Sequence, residues 1–158
     1  MPLSAEDVLA IQQLMVTYAY LIDMRSAPEA EILSLFTEDA LLVSPLRGRS
    51  QGRAGQRAFA RYEAEAPWGV PGEVQARHLM TNFLIDGDGE QARMLVFLTV
   101  YVTELATSPR VTELRFTGHY DCEVRKVDGA WKLASRVLHL DNVSGTPADI
   151  SERDLFHG

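Results

Sequence analysis

The sequence predicts an α+β fold in which a curved, mixed but mainly antiparallel sheet wraps around N-terminal helices and encloses an internal apolar pocket. Three observations point to it. The chain up to about Ala66 carries helical periodicity, the chain from Val74 onward carries extended patterning, and Asp-Gly pairs punctuate that second half. Helices first and a strand meander afterwards is the order of an α+β fold, not of alternating βα units.

The elements follow in order. Ser4 to Asp7 reads S-x-x-D, a capping box that opens a helix. Val8, Ile11, Met15, Tyr18 and Ile22 then recur at steps of three and four. A second stripe of Val16, Ala19 and Tyr20 leads to Asp23, so the end of this helix is expected to pack on more than one side. Ser26-Ala27-Pro28-Glu29 is a second start signal, proline being tolerated in a first turn. The short helix behind it carries Ile32, Leu33, Leu35 and Phe36. A first strand is expected at residues 40–45, followed by a glycine- and arginine-rich loop from Arg47 to Gly55. A third helix is expected from about Ala54 to Ala66, stopped by Pro67, Gly69, Pro71 and Gly72. Four extended segments come next, at 74–86, 91–105, 111–126 and 130–142, rich in Val, Leu, Thr, Phe and Tyr. Asp86-Gly87-Asp88-Gly89, Ala106 to Arg110 and Asp128-Gly129 join them, and Asp-Gly is a hairpin signal. One domain over 1–142 results, with a tail at 143–158 that reads as a lid or a frayed end.

Composition narrows the function classes. At 158 residues, with 46% hydrophobic and 23% charged content, the chain has the size and make-up of one soluble globular domain. A net charge of -7 disfavours a nucleic-acid or anionic-membrane surface, which needs a basic patch. Arg47, Arg49, Arg53, Arg57 and Arg61 form a local basic run, read as a solvated helix face. No apolar run has the length of a membrane span and no signal layout opens the chain, so a cytoplasmic location is expected. Cys122 is the lone cysteine and cannot form an intrachain disulfide. No nucleotide-binding loop or metal-ligand cluster stands out, so no cofactor is expected.

The order of several short stretches carries a resemblance. Tyr18-Ala19-Tyr20-Leu21-Ile22-Asp23, Leu35-Phe36-Thr37-Glu38-Asp39-Ala40, Arg77-His78-Leu79-Met80-Thr81-Asn82 and Gly118-His119-Tyr120-Asp121 come in turn, followed by Asp128-Gly129-Ala130-Trp131-Lys132-Leu133 and Arg136. Together they resemble the SnoaL-like branch of the nuclear-transport-factor-2-like superfamily, which includes scytalone dehydratase. The resemblance implies a cone-shaped α+β barrel with its pocket inside the cone. That fold hosts dehydratases, isomerases, cyclases, epoxide hydrolases and non-catalytic subunits.

Strand alternation places His78, Met80, Asn82 and Leu84 on one face, and Leu79, Thr81, Phe83 and Ile85 on the other. Spacing alone makes His78 either a hydrogen-bonded structural histidine or a catalytic one. In dehydratases of the resembled family, a histidine at this strand position pairs with an aspartate at the end of the first helix, and Asp23 matches that aspartate. An imidazole is suited to removing a proton from carbon near neutral pH, and a carboxylate on its other nitrogen fixes the tautomer. The alternative is that Asp23 caps the turn into Met24-Arg25-Ser26 and faces water. Tyr18 lies five residues before Asp23, a spacing also found in a steroid-dehydratase branch where a tyrosine polarises the substrate oxygen. It also sits on the main apolar stripe, where core packing is equally expected. Tyr20 is the other candidate hydroxyl, Asn82 shares the face of His78, and Tyr120 is placed on the cavity side with His119 outside. Tyr101 or Thr103 is a candidate for a missing donor on the second long segment. Arg136 and His139 fall on opposite faces of the last strand without an assigned reaction, and His157 is placed in the tail.

Departures from the resembled pattern matter. The ketosteroid isomerases carry an aspartate where this chain has Ser44 before Pro45, so their base is missing. The second pocket histidine of scytalone dehydratase has no counterpart in Thr99-Val100-Tyr101-Val102-Thr103. The resulting expectation is a cofactor-independent lyase or isomerase acting on a small hydrophobic, cyclic substrate through His78, Asp23 and Tyr18 or Tyr20. The alternatives are a non-catalytic subunit like the β subunits of ring-hydroxylating dioxygenases, or a small-molecule-binding protein without turnover. Leu95, Phe97 and Tyr101 alternate on one side of the second long segment, so a homo-oligomer, dimer or trimer, is expected.

Overall fold

The computed structural model of the chain describes residues 2–65 and 72–141. Helix α1 (Ala5–Met24) starts where its capping box requires. Ser4 Oγ accepts from the Asp7 backbone N–H at 3.0 Å, and Asp7 Oδ2 accepts from the Ser4 N–H at 3.3 Å. The two bonds satisfy donors that a helix start leaves without partners. The helix buries Ile11, Leu14, Met15, Tyr18, Ala19 and Ile22, whereas Val16 and Tyr20 of the second stripe are exposed. It therefore packs with one face, narrower than the apolar pattern predicts. Arg25, in the left-handed region at φ 55, ends it.

Helix α2 (Glu29–Ser34) is shorter than its apolar pattern predicts: Leu35 caps it and Phe36 opens β1 (Phe36–Ser44). The expected loop after β1 is also corrected. Gly48, at φ 75, turns the chain into β2 (Gly48–Gln51), which pairs antiparallel with β1, and α3 (Gly52–Glu65) follows at once. Glycine and arginine are poor strand formers, so this short strand exists only through its pairing. Gly55 lets α3 sit against β2, since a Cβ there would lie 2.1 Å from Ser50 Oγ. Gln56 Nε2 donates to the Thr37 carbonyl at 2.7 Å, which seats α3 on β1.

The long strands β3 (Val74–Gly87), β4 (Gln91–Glu104), β5 (Val111–Val127) and β6 (Ala130–Leu140) begin and end within two residues of the extended segments. The sheet order is β2-β1-β6-β5-β4-β3, with β1 and β6 parallel and every other pair antiparallel. The predicted cone is thus an open, curved sheet with edges at β2 and β3, not a closed barrel. Three irregularities interrupt the long ladders, at Thr81/Leu84, Val100/Tyr101 and Glu123/Ser135 running to Val124/Leu133. In each, one strand contributes an extra residue, which bends the sheet and reverses which residues face inward. The concave face and α1 share one core, including Ile11, Met15, Phe36, Met94, Val96 and Leu133. Cys122 lies in it, and burial pushes its thiol up to about 12, so it stays protonated and unreactive. The Pro67 to Pro71 breaker, the tail from 143 and His157 lie outside the described residues.

Asp7 does more than cap α1. Its Oδ1 accepts from Lys126 Nζ at 2.6 Å and from Trp131 Nε1 at 2.8 Å, tying the helix start to the β5–β6 hairpin. The Lys126 bond, then those from Ser4 and Trp131, hold the Asp7 carboxyl well below the ordinary carboxylate range. A lowered folded pKa gives stability that is present above the unfolded value and lost as pH falls through the folded one. Asp7→Asn is therefore expected to lower Tm at neutral pH, with the deficit against the native chain shrinking as the pH falls below about 4. Thermal unfolding of both proteins across that range checks it.

Candidate active site

β3 is an edge strand, so alternate backbone N–H groups point off the sheet and need a partner. At His78 that partner is Asp23, from the last turn of α1: Oδ2 accepts the His78 backbone N–H at 2.9 Å. Oδ1 lies 2.6 Å from His78 Nδ1. Both side chains are enclosed, 5% and 10% exposed for His78 and Asp23. A carboxylate only accepts, so the neutral ring carries its proton on Nδ1 and presents Nε2 as an acceptor. Gln75 Nε2 donates to the Asp23 carbonyl at 3.0 Å and secures the same corner.

His78 borders a narrow cavity between the concave sheet and α3. Its walls are apolar where Leu98, Val100, Phe116 and Leu138 face it, and polar where His78, Tyr120, Arg136, Arg47 and Glu63 do. Arg136 is 2% exposed. Its Nη1 donates to the Tyr18 hydroxyl, and its guanidinium lies 4.8, 4.7 and 4.9 Å from the ring centres of Tyr18, Phe59 and Tyr120. Aromatic faces attract a cation, most strongly where water is excluded. Arg47 is buried beside it, ion-paired to Glu63, with its guanidinium over Phe59 and Tyr62. Burial lowers the Arg47 pKa, yet an arginine stays charged.

This corrects the reading of the arginine run as one solvated face. Arg57 and Arg61 do lie exposed beside Glu29, but Arg53 donates to the Leu33 carbonyl, and Arg47, in the turn before β2, points inward.

The candidate residues separate into two groups. His78 and Tyr120 both border the cavity, and Asp23 stands behind His78, bound to its ring and backbone. Tyr18 stands behind Arg136, buried, edge-on to Tyr120 at 6.3 Å, and does not border the cavity. Burial pushes the hydroxyl pKa of both tyrosines up, so both remain donors. Tyr20 is 62% exposed, because two residues on a helix differ by about 200°. Asn82 is the bulged residue of β3, at φ 56, and is exposed; beyond it Phe83 and Ile85, not Leu84, turn inward. Tyr101 lies on the outer face, since Val96, Leu98, Val100 and Val102 take the inner positions of β4. None of Tyr20, Asn82 and Tyr101 lines this cavity. His119 and His139 stack on the outer face with ring centres 4.4 Å apart.

Sequence reasoning missed Arg136, Arg47 and Glu63. Counting back from Leu138 and Leu140 puts Arg136 inside, whereas counting on from Trp131 and Leu133 puts it outside. The extra residue Ala134 reconciles the two. Nothing in the spacing of Arg47 and Glu63 announces their pairing. Ser44 borders the cavity, and its hydroxyl accepts from the Leu46 N–H at 3.2 Å. Among the described residues no helix is long and apolar enough to cross a membrane. Nor is any group of three His, Cys, Asp or Glu among them arranged to hold a metal ion.

An N-terminal helix held in the hollow of an open six-stranded sheet defines a small α+β protein of nuclear-transport-factor-2-like fold. The sequence profile of the SnoaL-like domain matches residues 3–137, and the chain belongs to that family. Solved structures agree on the fold. A proposed aromatic ring hydroxylase of Novosphingobium aromaticivorans is 28% identical, with a TM-score of 0.69 over 94% of this chain and 99% of that one. A proposed scytalone dehydratase of the same organism is 24% identical, with a TM-score of 0.67 over 85% and 83%. A Catenulispora acidiphila protein in complex with S-DNPA is 20% identical, with a TM-score of 0.71 over 88% and 96%. No curated protein matches the chain by sequence.

Asp23→Ala removes the acceptor of two bonds and leaves the part-buried His78 backbone N–H without that partner. The expected cost is about 1–3 kcal/mol in urea unfolding, with an unchanged m-value.

Proposed function

We propose that the protein is a cofactor-independent lyase or isomerase, dehydratase-like in its chemistry, acting on a small hydrophobic, cyclic substrate. The observation that carries this reading is the enclosed Asp23–His78 pair, whose imidazole borders the cavity. With its Nδ1 proton directed at Asp23, His78 takes a proton from a substrate carbon through Nε2. The carbon must lie beside a carbonyl, so that the electron pair released moves to the carbonyl oxygen as an enolate. Asp23 then stabilises the imidazolium. In a lyase the enolate collapses, expels a β-hydroxyl, and His78 returns its proton to make water. In an isomerase the same proton returns to a different carbon. The Tyr120 hydroxyl, protonated and on the cavity wall, takes the role of oxygen donor in place of Tyr18 or Tyr20. Membership of the SnoaL-like family and fold likeness to a proposed scytalone dehydratase support the reaction class. A related fold that binds S-DNPA supports a small organic ligand.

The test is proton–deuterium exchange at the carbon beside the carbonyl in a panel of cyclic ketones and β-hydroxyketones, followed by NMR in heavy water. His78→Ala is expected to lower the exchange rate by about 100- to 10,000-fold, and Asp23→Asn to lower it at least about tenfold. A folded His78→Ala protein with undiminished exchange would falsify the mechanism.

The 28% identity to a proposed aromatic ring hydroxylase favours a second reading, a non-catalytic subunit like those of ring-hydroxylating dioxygenases. Co-purification with a larger iron-containing chain, without exchange activity, selects it. Either reading takes the protein to self-associate through the outer sheet face, where Leu79, Phe97, Tyr101 and Leu114 are exposed. Sedimentation velocity distinguishes a monomer from a dimer or trimer.

A further inference from the structure

Among the described residues, the charges around the cavity do not pair off. Glu63 neutralises Arg47, and Asp23 is bound to His78, where it will meet the imidazolium once that forms. Arg136 has no carboxylate within ion-pairing distance among the described residues. Its guanidinium has five N–H donors. Nη1 is committed to the Tyr18 hydroxyl, the Tyr120 hydroxyl is a second hydrogen-bond partner of the guanidinium, and Nε is buried without a hydrogen-bond partner among the described residues. Three aromatic rings surround the group, which attract a cation without neutralising it. A cation enclosed with no counter-ion is unfavourable for folding, and an apolar residue of similar volume would fill the same space at less cost. Arg136 nonetheless borders the cavity, together with the apolar walls formed by Leu98, Val100, Phe116 and Leu138.

We propose that Arg136 determines the specificity of this cavity, and that the ligand carries an anionic oxygen, a carboxylate or acidic phenol, on an apolar body. The anion goes to Arg136 and not to Arg47, because Glu63 already neutralises Arg47 and its second oxygen, also without a partner, repels a negative group. The ligand's oxygen completes the pairing that the described residues leave open, and its ring lies against the apolar walls. The proposal rests on the cavity being the ligand site, as in the function proposed above, but not on proton transfer by His78.

Benzoate and its neutral isostere benzamide are the probes, titrated calorimetrically into the native protein, Arg136→Met, Arg136→Lys and His78→Ala. The native protein is expected to prefer benzoate by about tenfold to a hundredfold, the value of a hydrogen bond to a charged group. Arg136→Met should lose the preference while keeping its affinity for benzamide, Arg136→Lys should keep part of it, and His78→Ala should keep all of it. In the native protein, benzoate but not benzamide should shift the Arg136 Nε–H resonance, a readout that does not depend on any variant folding. Equal affinity for the two probes, an unmoved Arg136 resonance, or a preference that survives Arg136→Met overturns the assignment of Arg136 alone. Failure of both probes to bind overturns the ligand cavity, and this proposal with it. Loss of exchange activity in His78→Ala with the benzoate preference intact supports both readings as separate facts.

Discussion

Asp23 occupies the last turn of α1, the end of a helix where carbonyl dipoles point outward and a negative charge is least welcome. Two hydrogen bonds from His78, one from its backbone and one toward its ring, offset that position. They also attach the C-terminal end of α1 to the free edge of the sheet. An edge strand exposes unpaired backbone donors, and the carboxylate covers one of them. A single side chain thus satisfies the edge, fixes the helix end and sets the imidazole tautomer. The opposite end of the helix is tied down in a comparable way, where Asp7 reaches Lys126 and Trp131 on the β5–β6 hairpin. Held at both ends, α1 turns one face to the sheet and leaves Tyr20 in solvent.

Bulges decide what this arrangement encloses. A strand alternates its side chains strictly, so one extra residue exchanges the inner and outer sets beyond it. In β3 the extra residue follows His78 and Met80, which keeps them inside and moves Asn82 out. In β6 it lies between Leu133 and Arg136, and it turns the guanidinium into the core instead of toward water. The same device that bends the sheet selects the polar groups of the cavity.

The interior that results is electrostatically uneven. A hydrophobic core ordinarily excludes charge, yet two arginines are buried close to the same phenylalanine ring, Phe59. One is neutralised by Glu63; the other is surrounded by aromatic faces and the Tyr18 hydroxyl. That imbalance links the packing of the fold to the chemistry proposed for it, because a site that excludes water strengthens each remaining charge. Tyr18 belongs to this inner layer as the residue that holds Arg136, and Tyr120 is the hydroxyl on the cavity wall.

Much of this was legible in the residues themselves. Ser4 with Asp7, the helical spacing from Val8 to Ile22, the Asp-Gly turns and the alternation of Tyr120 with Cys122 are local signals, and local chemistry reads them reliably. They determined the α+β order, the four long strands and the resemblance that singles out Asp23 and His78. Three things were decided only in three dimensions. β2 exists because β1 lies beside it; Asn82 and Tyr20 fall outside because the β3 bulge and the single buried face of α1 exclude them; and Arg47, Glu63 and Arg136 meet because α3 closes over the curved sheet. The physical reason is common to all three. Strand pairing, bulge position and charge pairing depend on residues far apart in the chain, so no local pattern contains them.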